Sequence, residues 1–410
     1  CLVAAALSLA GSAAMADPIA ILFVGNSYTF GRVDPVLSYN AASSAGSNAF
    51  EPHPWGGVPG LFKKFTDQAG LDYDVSISAR NAATLRGQFL NTANAAWDLR
   101  GNVASRVWNT VVLQEQSDAA LPSGKGKNAN LGQFNAYADQ FERFIHNGAA
   151  QSYTEAQLYG SLAACKATGA STTTCNTVRN IPANANASAA TKVYLTDTWA
   201  RPDMVFSHKI TTPDLTTSDG RPIVDTSSAG GDATLYYGTL AAMTADLHAS
   251  FAAKAASNPN FAGVIPVGDA FQLAVNLGLA KSSGFYDASG VYVDNAPGDL
   301  LNLWWYDYLH ASKYGSYLDA LVQFGSITGL DPLSLGAGEQ AAADLGISAL
   351  DALTLQRVAS QELSIAAVPE PENWALLAGG LLLVGRWAGR RRGGTRQGVT
   401  GASDRAGSRS

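Results

Sequence analysis

Short apolar runs ending on small or polar residues recur along this chain. Ile19–Thr29 (IAILFVGNSYT) opens with a continuous aliphatic stretch, the pattern of a strand buried on both faces, and stops at Gly25-Asn26-Ser27, residues suited to a tight turn. Asp74–Ala79 (DVSISA) alternates with a strand's period of two. Thr110–Leu113 reads as a core strand running into the polar cluster Gln114-Glu115-Gln116-Ser117. Lys192–Asp203 gives a further strand with the polar end Asp197-Thr198-Trp199, and Gly263–Phe271 another strand with a turn. Helical spacing fills the intervals: Leu61–Ala69, Asn135–His146 with Tyr137, Phe141, Phe144 and Ile145 on or near one face, and Leu235–Ala256 with Met243, Leu247 and Phe251. Strands alternating with helices predict an α/β protein with a parallel sheet covered on both faces.

Three stretches break this rhythm. Ala41–Gly60 is dense in Gly, Pro, Ser and Asn and reads as a loop on the rim of a site, with His53 a surface residue within it. Gln151–Ala190 is poor in large apolar residues and reads as a surface insertion. Tyr286–Tyr308 is rich in Tyr and Trp, side chains that stack on sugars or close a pocket. With 410 residues, 47% of them hydrophobic and 15% charged, the chain has ample material for one large domain with appendages. From Arg386 onward seven arginines face one acid, a local +6, so the rest carries -12; so acidic a body argues against nucleic acid as a partner.

A serine at the carboxyl end of a buried strand lies where α/β proteins keep their ligand sites, although Ser27 can equally serve as a helix cap. Far along the chain, Asp307 and His310 are three residues apart in WYDYLHASKYGSYL, ahead of a stretch with helical spacing. A nucleophilic serine needs a base to take its proton and a carboxylate to orient that base, and Asp-x-x-His presents both from one turn. The other histidines read blandly: His146 as a helix-end dipole partner, His248 as a packed residue. Trp199 is a substrate wall or a core tryptophan, and Asp269 a rim residue for substrate contact.

Gly25-Asn26-Ser27 after the first strand and Asp307-Tyr308-Leu309-His310 near the other end resemble two blocks of the SGNH (GDSL-like) hydrolase superfamily, and the strand end Leu113-Gln114-Glu115-Gln116-Ser117 resembles one of its subsets. The Gly-x-Ser-x-Gly elbow of α/β-hydrolases does not surround Ser27. The resemblance implies a three-layer α/β/α, flavodoxin-like fold and a serine esterase needing neither metal nor organic cofactor. In it Ser27 is the nucleophile, His310 the base and Asp307 its orienting carboxylate. The family's second block supplies an oxyanion N–H from a glycine; here Ala82 or Ala83 stands in that place. The asparagine of its third block is missing, and the carboxamide of Gln114 or Gln116 can replace it. Asn26 and Trp199 are the expected substrate contacts.

The termini carry processing signals. Cys1–Ala16 is apolar and small and ends Ala14-Met15-Ala16, a signal-peptide core and cleavage site for signal peptidase, and the sequence is expected to begin inside that signal. Export suits a disulfide between Cys165 and Cys175; the alternative is two free thiols. Pro369-Glu370-Pro371, the apolar span Trp374–Val384 and Arg390–Arg392 resemble a PEP-CTERM sorting signal. That implies a Gram-negative source, transient anchoring in the inner membrane through 374–388 with the arginines cytoplasmic, and removal of the tail by an exosortase. The expected organisation is signal peptide 1–16, hydrolase domain 17–365 with an insertion near 150–190, sorting segment 366–392 and a disordered basic tail 393–410.

The reading is an exported esterase whose ester substrate is an acetylated extracellular or envelope polysaccharide. Its rivals are a catalytically weak or inactive glycan-binding protein of the same fold and a structural matrix protein displayed by its C-terminal signal.

Overall fold

The computed structural model describes residues 17–366 apart from 42–47, 50–54, 93–97, 211–212, 215–222, 225–230, 294–295 and 297. The signal peptide at 1–16, the membrane span at 374–388, the tail from 393 and His53 lie outside the described residues. No helix among the described residues is long and apolar enough to cross a membrane.

In chain order the strands are β1 Ile19–Gly25, β2 Asn48–Ala49, β3 Tyr73–Ala79, β4 Thr110–Gln114, β5 Gln151–Thr154, β6 Val178–Ile181, β7 Lys192–Thr196, β8 Pro213–Asp214, β9 Ile223–Val224 and β10 Phe261–Ile265. Six of them form one parallel sheet in the order β10-β7-β4-β1-β3-β2. Leaving aside the two-residue β2, the long strands run second-first-third-fourth-fifth, the flavodoxin-like order expected. Ala20–Gly25 and all of β4 are buried, so both faces of the sheet centre are covered and the strands read as unbroken apolar runs.

Aromatic contacts bind the helical layers. Helix Gly57–Gln68 packs on Lys313–Thr328, with the Phe65 ring edge-on to Tyr317 at 5.5 Å and to Phe324 at 6.0 Å. Phe62 of the same helix meets Phe23 of β1 at 5.3 Å. Helix Leu131–His146 holds Leu85–Leu90 through Phe141 and Phe89 at 5.0 Å, and Leu240–Ser257 through Phe134 and Phe251 at 4.8 Å. The segment read as a strand with a turn at 263–271 is β10 followed by helix Val267–Asn276, and the last long helix, Ala349–Ala366, has no counterpart in the sequence reading.

Register decides where the site forms. Gly25 lies opposite Ala79, Gln114 opposite Thr196 and Ile265 opposite Thr196, so five strands end along one edge. Asn26-Ser27, Arg80-Asn81-Ala82, Glu115-Gln116 and Asp197-Thr198 all issue from that edge. The switch in strand order falls between β1 and β4, where a crevice opens in sheets of this kind.

The insertion folds as a hairpin, β5 antiparallel to β6, with two short helices joined by a Cys165–Cys175 disulfide. Buried Glu155 ties it to the body by pairing with Arg86 at 2.6 Å, and it also pairs with Arg179 of β6 at 2.7 Å.

Candidate active site

Ser27 is held by its neighbours on β1 and β4. The Asn26 side chain caps the four-residue turn Ser27–Phe30, its Oδ1 accepting the Tyr28 N–H at 3.1 Å, and Gly31 closes the turn at φ +70°. At the first helical position the Ser27 N–H has no partner within the turn. Gln114 Oε1 accepts the Asn26 N–H at 3.0 Å and the Thr29 hydroxyl at 3.1 Å, fixing the turn to β4. No side chain fits at position 25: a Cβ there would overlap Thr29 Oγ1 and come within 2.7 Å of Gln114 Oε1.

His310 reaches Ser27 from a tight loop before helix Lys313–Thr328. Trp304 bridges Ala311, the Trp305 N–H donates to the His310 carbonyl at 2.9 Å, and Tyr308 takes a left-handed φ of +50°. That bend lets Asp307 Oδ1 accept the backbone N–H groups of Leu309 at 3.0 Å and His310 at 2.9 Å, while Oδ2 meets His310 Nδ1 at 2.6 Å. His310 Nε2 lies 2.8 Å from Ser27 Oγ. The loop is pinned from below: the Tyr28 hydroxyl at 2.8 Å and Trp199 Nε1 at 3.0 Å both donate to the Leu309 carbonyl. Burial raises the Asp307 carboxyl, but the adjacent His310 and the hydrogen bonds from its ring and backbone outweigh that and leave it below the ordinary carboxylate range. A carboxylate that stays ionised favours one ring tautomer, with the proton on Nδ1 and a basic Nε2 facing the serine.

These residues border an open cavity of about 370 Å³, with Arg32, Asn81, Ala82, Gln116, Ser117, Asp203 and Trp305 in its walls. The backbone N–H groups of Ser27 and Ala82 have no acceptor among the described residues. Ala82 has a φ of +57°, the left-handed region that favours glycine. Gln116 donates from Nε2 to Ser117 Oγ at 3.1 Å, which leaves its second amide hydrogen for the cavity. Glu115 props both loops, its Oε1 accepting the Leu85 N–H at 3.0 Å and the Gln116 N–H at 2.6 Å; burial outweighs those bonds and pushes its carboxyl up to about 7.

Four expected contacts take other places. Gln114 does not border the cavity, since both ends of its carboxamide are spent inside, on the Asn26 turn and on the Glu115 carbonyl. Asn26 touches the cavity wall, but its side chain caps the Ser27 turn and donates to the Ala83 carbonyl at 3.1 Å, so it is framework. Trp199 is a core residue, stacked between Tyr28 at 3.9 Å and Phe271 at 4.8 Å. Asp269 does not border this cavity.

Arg32, Asn81 and Asp203 were not singled out in the sequence. Only their position directly after the Ser27 turn, after β3 and after the β7 end could have suggested them. Asp203 and Asp307 also border a second cavity of about 570 Å³, whose walls include Lys127, Arg201, Lys209, Tyr286, Tyr292 and Tyr306. No described residue of the 150–190 insertion borders either cavity.

No family model and no curated protein matches this sequence. Among solved structures it is similar to a candidate SGNH hydrolase from Slackia heliotrinireducens, with a TM-score of 0.33 and 15% identity, covering 76% of this chain and 100% of that one. It is also similar to a DUF4886 family protein from Bacteroides uniformis, with a TM-score of 0.40 and 12% identity over 85% and 95% of the two chains. A third is phospholipase A1 from Streptomyces albidoflavus, with a TM-score of 0.29 and 12% identity over 75% and 99%.

Proposed function

We propose that this chain is a serine esterase. The observation that carries the reading is the unbroken chain of contacts Ser27 Oγ–His310 Nε2 (2.8 Å) and His310 Nδ1–Asp307 Oδ2 (2.6 Å) at an open cavity. Ser27 Oγ attacks the ester carbonyl carbon while its proton passes to His310 Nε2, and Asp307 stabilises the imidazolium. The carbonyl oxygen, now an anion, is bound by the N–H groups of Ser27 and Ala82 and the Gln116 carboxamide, donors fixed before the charge develops. His310 returns the proton to the departing alcohol, and a water activated by the same imidazole then hydrolyses the acyl-serine.

The small cavity beside Ser27 suits a short acyl group such as acetyl. The larger cavity shares Asp203 and Asp307 with it and offers Tyr286, Tyr292 and Tyr306 together with charged groups, a lining that suits a sugar as the alcohol part. Acetylated polysaccharide is therefore the proposed substrate class. Export, signal-peptidase cleavage and exosortase removal of a transient inner-membrane anchor are proposed from the terminal sequences alone.

The test is hydrolysis of p-nitrophenyl acetate and an acetylated glycan by the full chain beside Ser27→Ala and His310→Ala. Each variant should lose at least ~10³-fold in kcat with its circular dichroism unchanged. Equal rates in all three proteins would refute the triad, and silence on both substrates would favour a glycan-binding protein without catalysis.

A further inference from the structure

Most polar side chains around the Ser27 cavity already have partners. Asn26 caps the nucleophile turn, Tyr28 donates to the Leu309 carbonyl, and Ser117 Oγ accepts an Arg201 N–H at 2.9 Å. Arg201 also grips Asp203 in a bidentate fork, Nε to Oδ1 at 2.9 Å and Nη2 to Oδ2 at 2.6 Å. Two side chains in the wall differ: half-buried Arg32 and exposed Asn81 have no hydrogen-bond or ion-pair partner among the described residues. Both stand beside the nucleophile. The Arg32 N–H donates to the Ser27 carbonyl at 3.3 Å, and Asn81 lies just past the end of β3, the neighbour of β1. Neither borders the larger cavity, which meets this one at Asp203 and Asp307. We propose that Arg32 and Asn81 form a carboxylate-binding subsite on the acyl side of Ser27, selecting half-esters of a short dicarboxylic acid of the succinyl kind.

Charge is the first argument. Arg201 neutralises Asp203, and Asp307 is spent on His310 and two backbone N–H groups. Arg32 is left as a cation at the cavity without a counter-ion among the described residues, in a chain of net charge -6. Complementarity then calls for an anion from the substrate. A guanidinium fork matches a carboxylate, and the Asn81 carboxamide adds further N–H donors. Backbone geometry is the second argument. Arg32 has a φ of +24°, a costly conformation for a residue with a side chain, and such strain gathers at ligand sites. The Ser27 carbonyl holds it there, accepting the N–H groups of both Gly31 at 3.1 Å and Arg32 at 3.3 Å. The nucleophile's own backbone thus fixes where the guanidinium starts. Position is the third. The alcohol part takes the larger cavity on the Asp203 side, so Arg32 and Asn81 lie with Ala82 and Gln116 on the other side, around the acyl group. A cavity of about 370 Å³ has far more room than acetyl fills. Acetyl leaves Arg32 and Asn81 to water, whereas a succinyl chain carries a carboxylate toward them. The assignment rests on the esterase reading above and specifies its acyl part.

The experiment follows nitrophenolate release by the full chain from p-nitrophenyl hemisuccinate and from its capped form, p-nitrophenyl methyl succinate. Ser27→Ala serves as the blank for spontaneous hydrolysis. The free carboxylate should raise kcat/KM at least ~10-fold over the capped ester, the scale of one charge-assisted hydrogen bond. Arg32→Met should bring that ratio near one, Arg32→Lys should keep part of it, and Arg32→Glu should invert it. The ratio is read within each variant, so a general loss of activity does not blur it. A second readout needs no turnover. Monomethyl succinate should bind the Ser27→Ala chain in a calorimetric titration at least ~10-fold more tightly than dimethyl succinate, and adding Arg32→Met should erase the difference. Binding without turnover would refute the esterase and leave the subsite standing. Turnover with equal kcat/KM for the two esters would overturn the subsite and leave the esterase standing. Preference for an acetylated polyuronate over a neutral acetylated glycan, with the succinyl ratio at one, would overturn it too, by moving the carboxylate to the alcohol side. Neither turnover nor binding would refute both.

Discussion

Gln114 and Gln116 stand two residues apart at the end of β4 and face different surroundings. Gln114 is the last strand residue and spends its carboxamide on the Ser27 turn; Gln116 has passed the strand end and borders the cavity. Replacing each with alanine should therefore separate stability from catalysis. Gln116→Ala should lower kcat by about 10²-fold, the scale for one oxyanion donor, with Tm unchanged. Gln114→Ala leaves the buried Asn26 N–H without its acceptor and should cost ~1–3 kcal/mol in chemical denaturation. A large stability loss in the Gln116 variant with kcat intact would reverse the two roles. The sequence offered both glutamines and could not choose, because the choice depends on where a turn from β1 comes to rest. Trp199 was undecidable for a similar reason: wall or core is settled by Tyr28 and Phe271, which lie far away in the sequence.

At the scale of elements, helix Lys313–Thr328 joins the His310 loop to the core, and it buries a carboxyl. Asp319 is 3% exposed, and its partner is Gln323 Nε2 at 2.7 Å; burial outweighs that bond and pushes the carboxyl up to about 7. The folded state then holds a proton that the unfolded chain releases near its ordinary value of ~3.9. The contribution is fully present below ~3.9 and is lost as pH rises toward about 7, at ~1.4 kcal/mol per pH unit. Asp319→Asn cannot titrate, so urea melts at pH 5 and pH 8 should show a shallower fall for the variant than for the wild type. Equal slopes would show that Asp319 is not held neutral. The strands feeding this core were plain in the sequence, because burial on both faces demands unbroken apolar runs. The boundary between β10 and the next helix was not: Pro266 is the non-helical residue just before Val267–Asn276, and a proline there reads in sequence as a turn. Asp307 and His310 are presented from one turn, as their three-residue spacing suggested, but that turn is a bend with a left-handed Tyr308 and not part of a helix.

Across the whole molecule, one sheet edge carries two polar centres, and the insertion belongs to neither. Ser27, Ala82 and Gln116 leave β1, β3 and β4, while Asp197 and Asp269 leave β7 and β10, so strand order alone separates the Ser27 cavity from the acidic cluster. The Gly25-Asn26-Ser27 and Asp307–His310 blocks were legible because each is contiguous in the sequence; the cluster was not, because its members at 197, 248 and 269 meet only once the chain is folded. The insertion supplies the last contrast. Its 10-residue disulfide loop, Cys165–Cys175, closes a subdomain anchored by Glu155 between Arg86 and Arg179, and none of its described residues borders the Ser27 cavity or the larger one beside it. Removing the disulfide as Cys165→Ala/Cys175→Ala frees a short loop in the unfolded chain and should cost ~2–3 kcal/mol. The loss belongs to the insertion, so limited proteolysis should cut between residues 155 and 177 well before the body opens. Ester hydrolysis below the melting range should keep its wild-type kcat and KM, since no group touching the substrate has moved. A fall in kcat with the body still resistant to protease would mean that the insertion positions Ala82 through Arg86 and helix Leu85–Leu90, making it part of the catalytic framework.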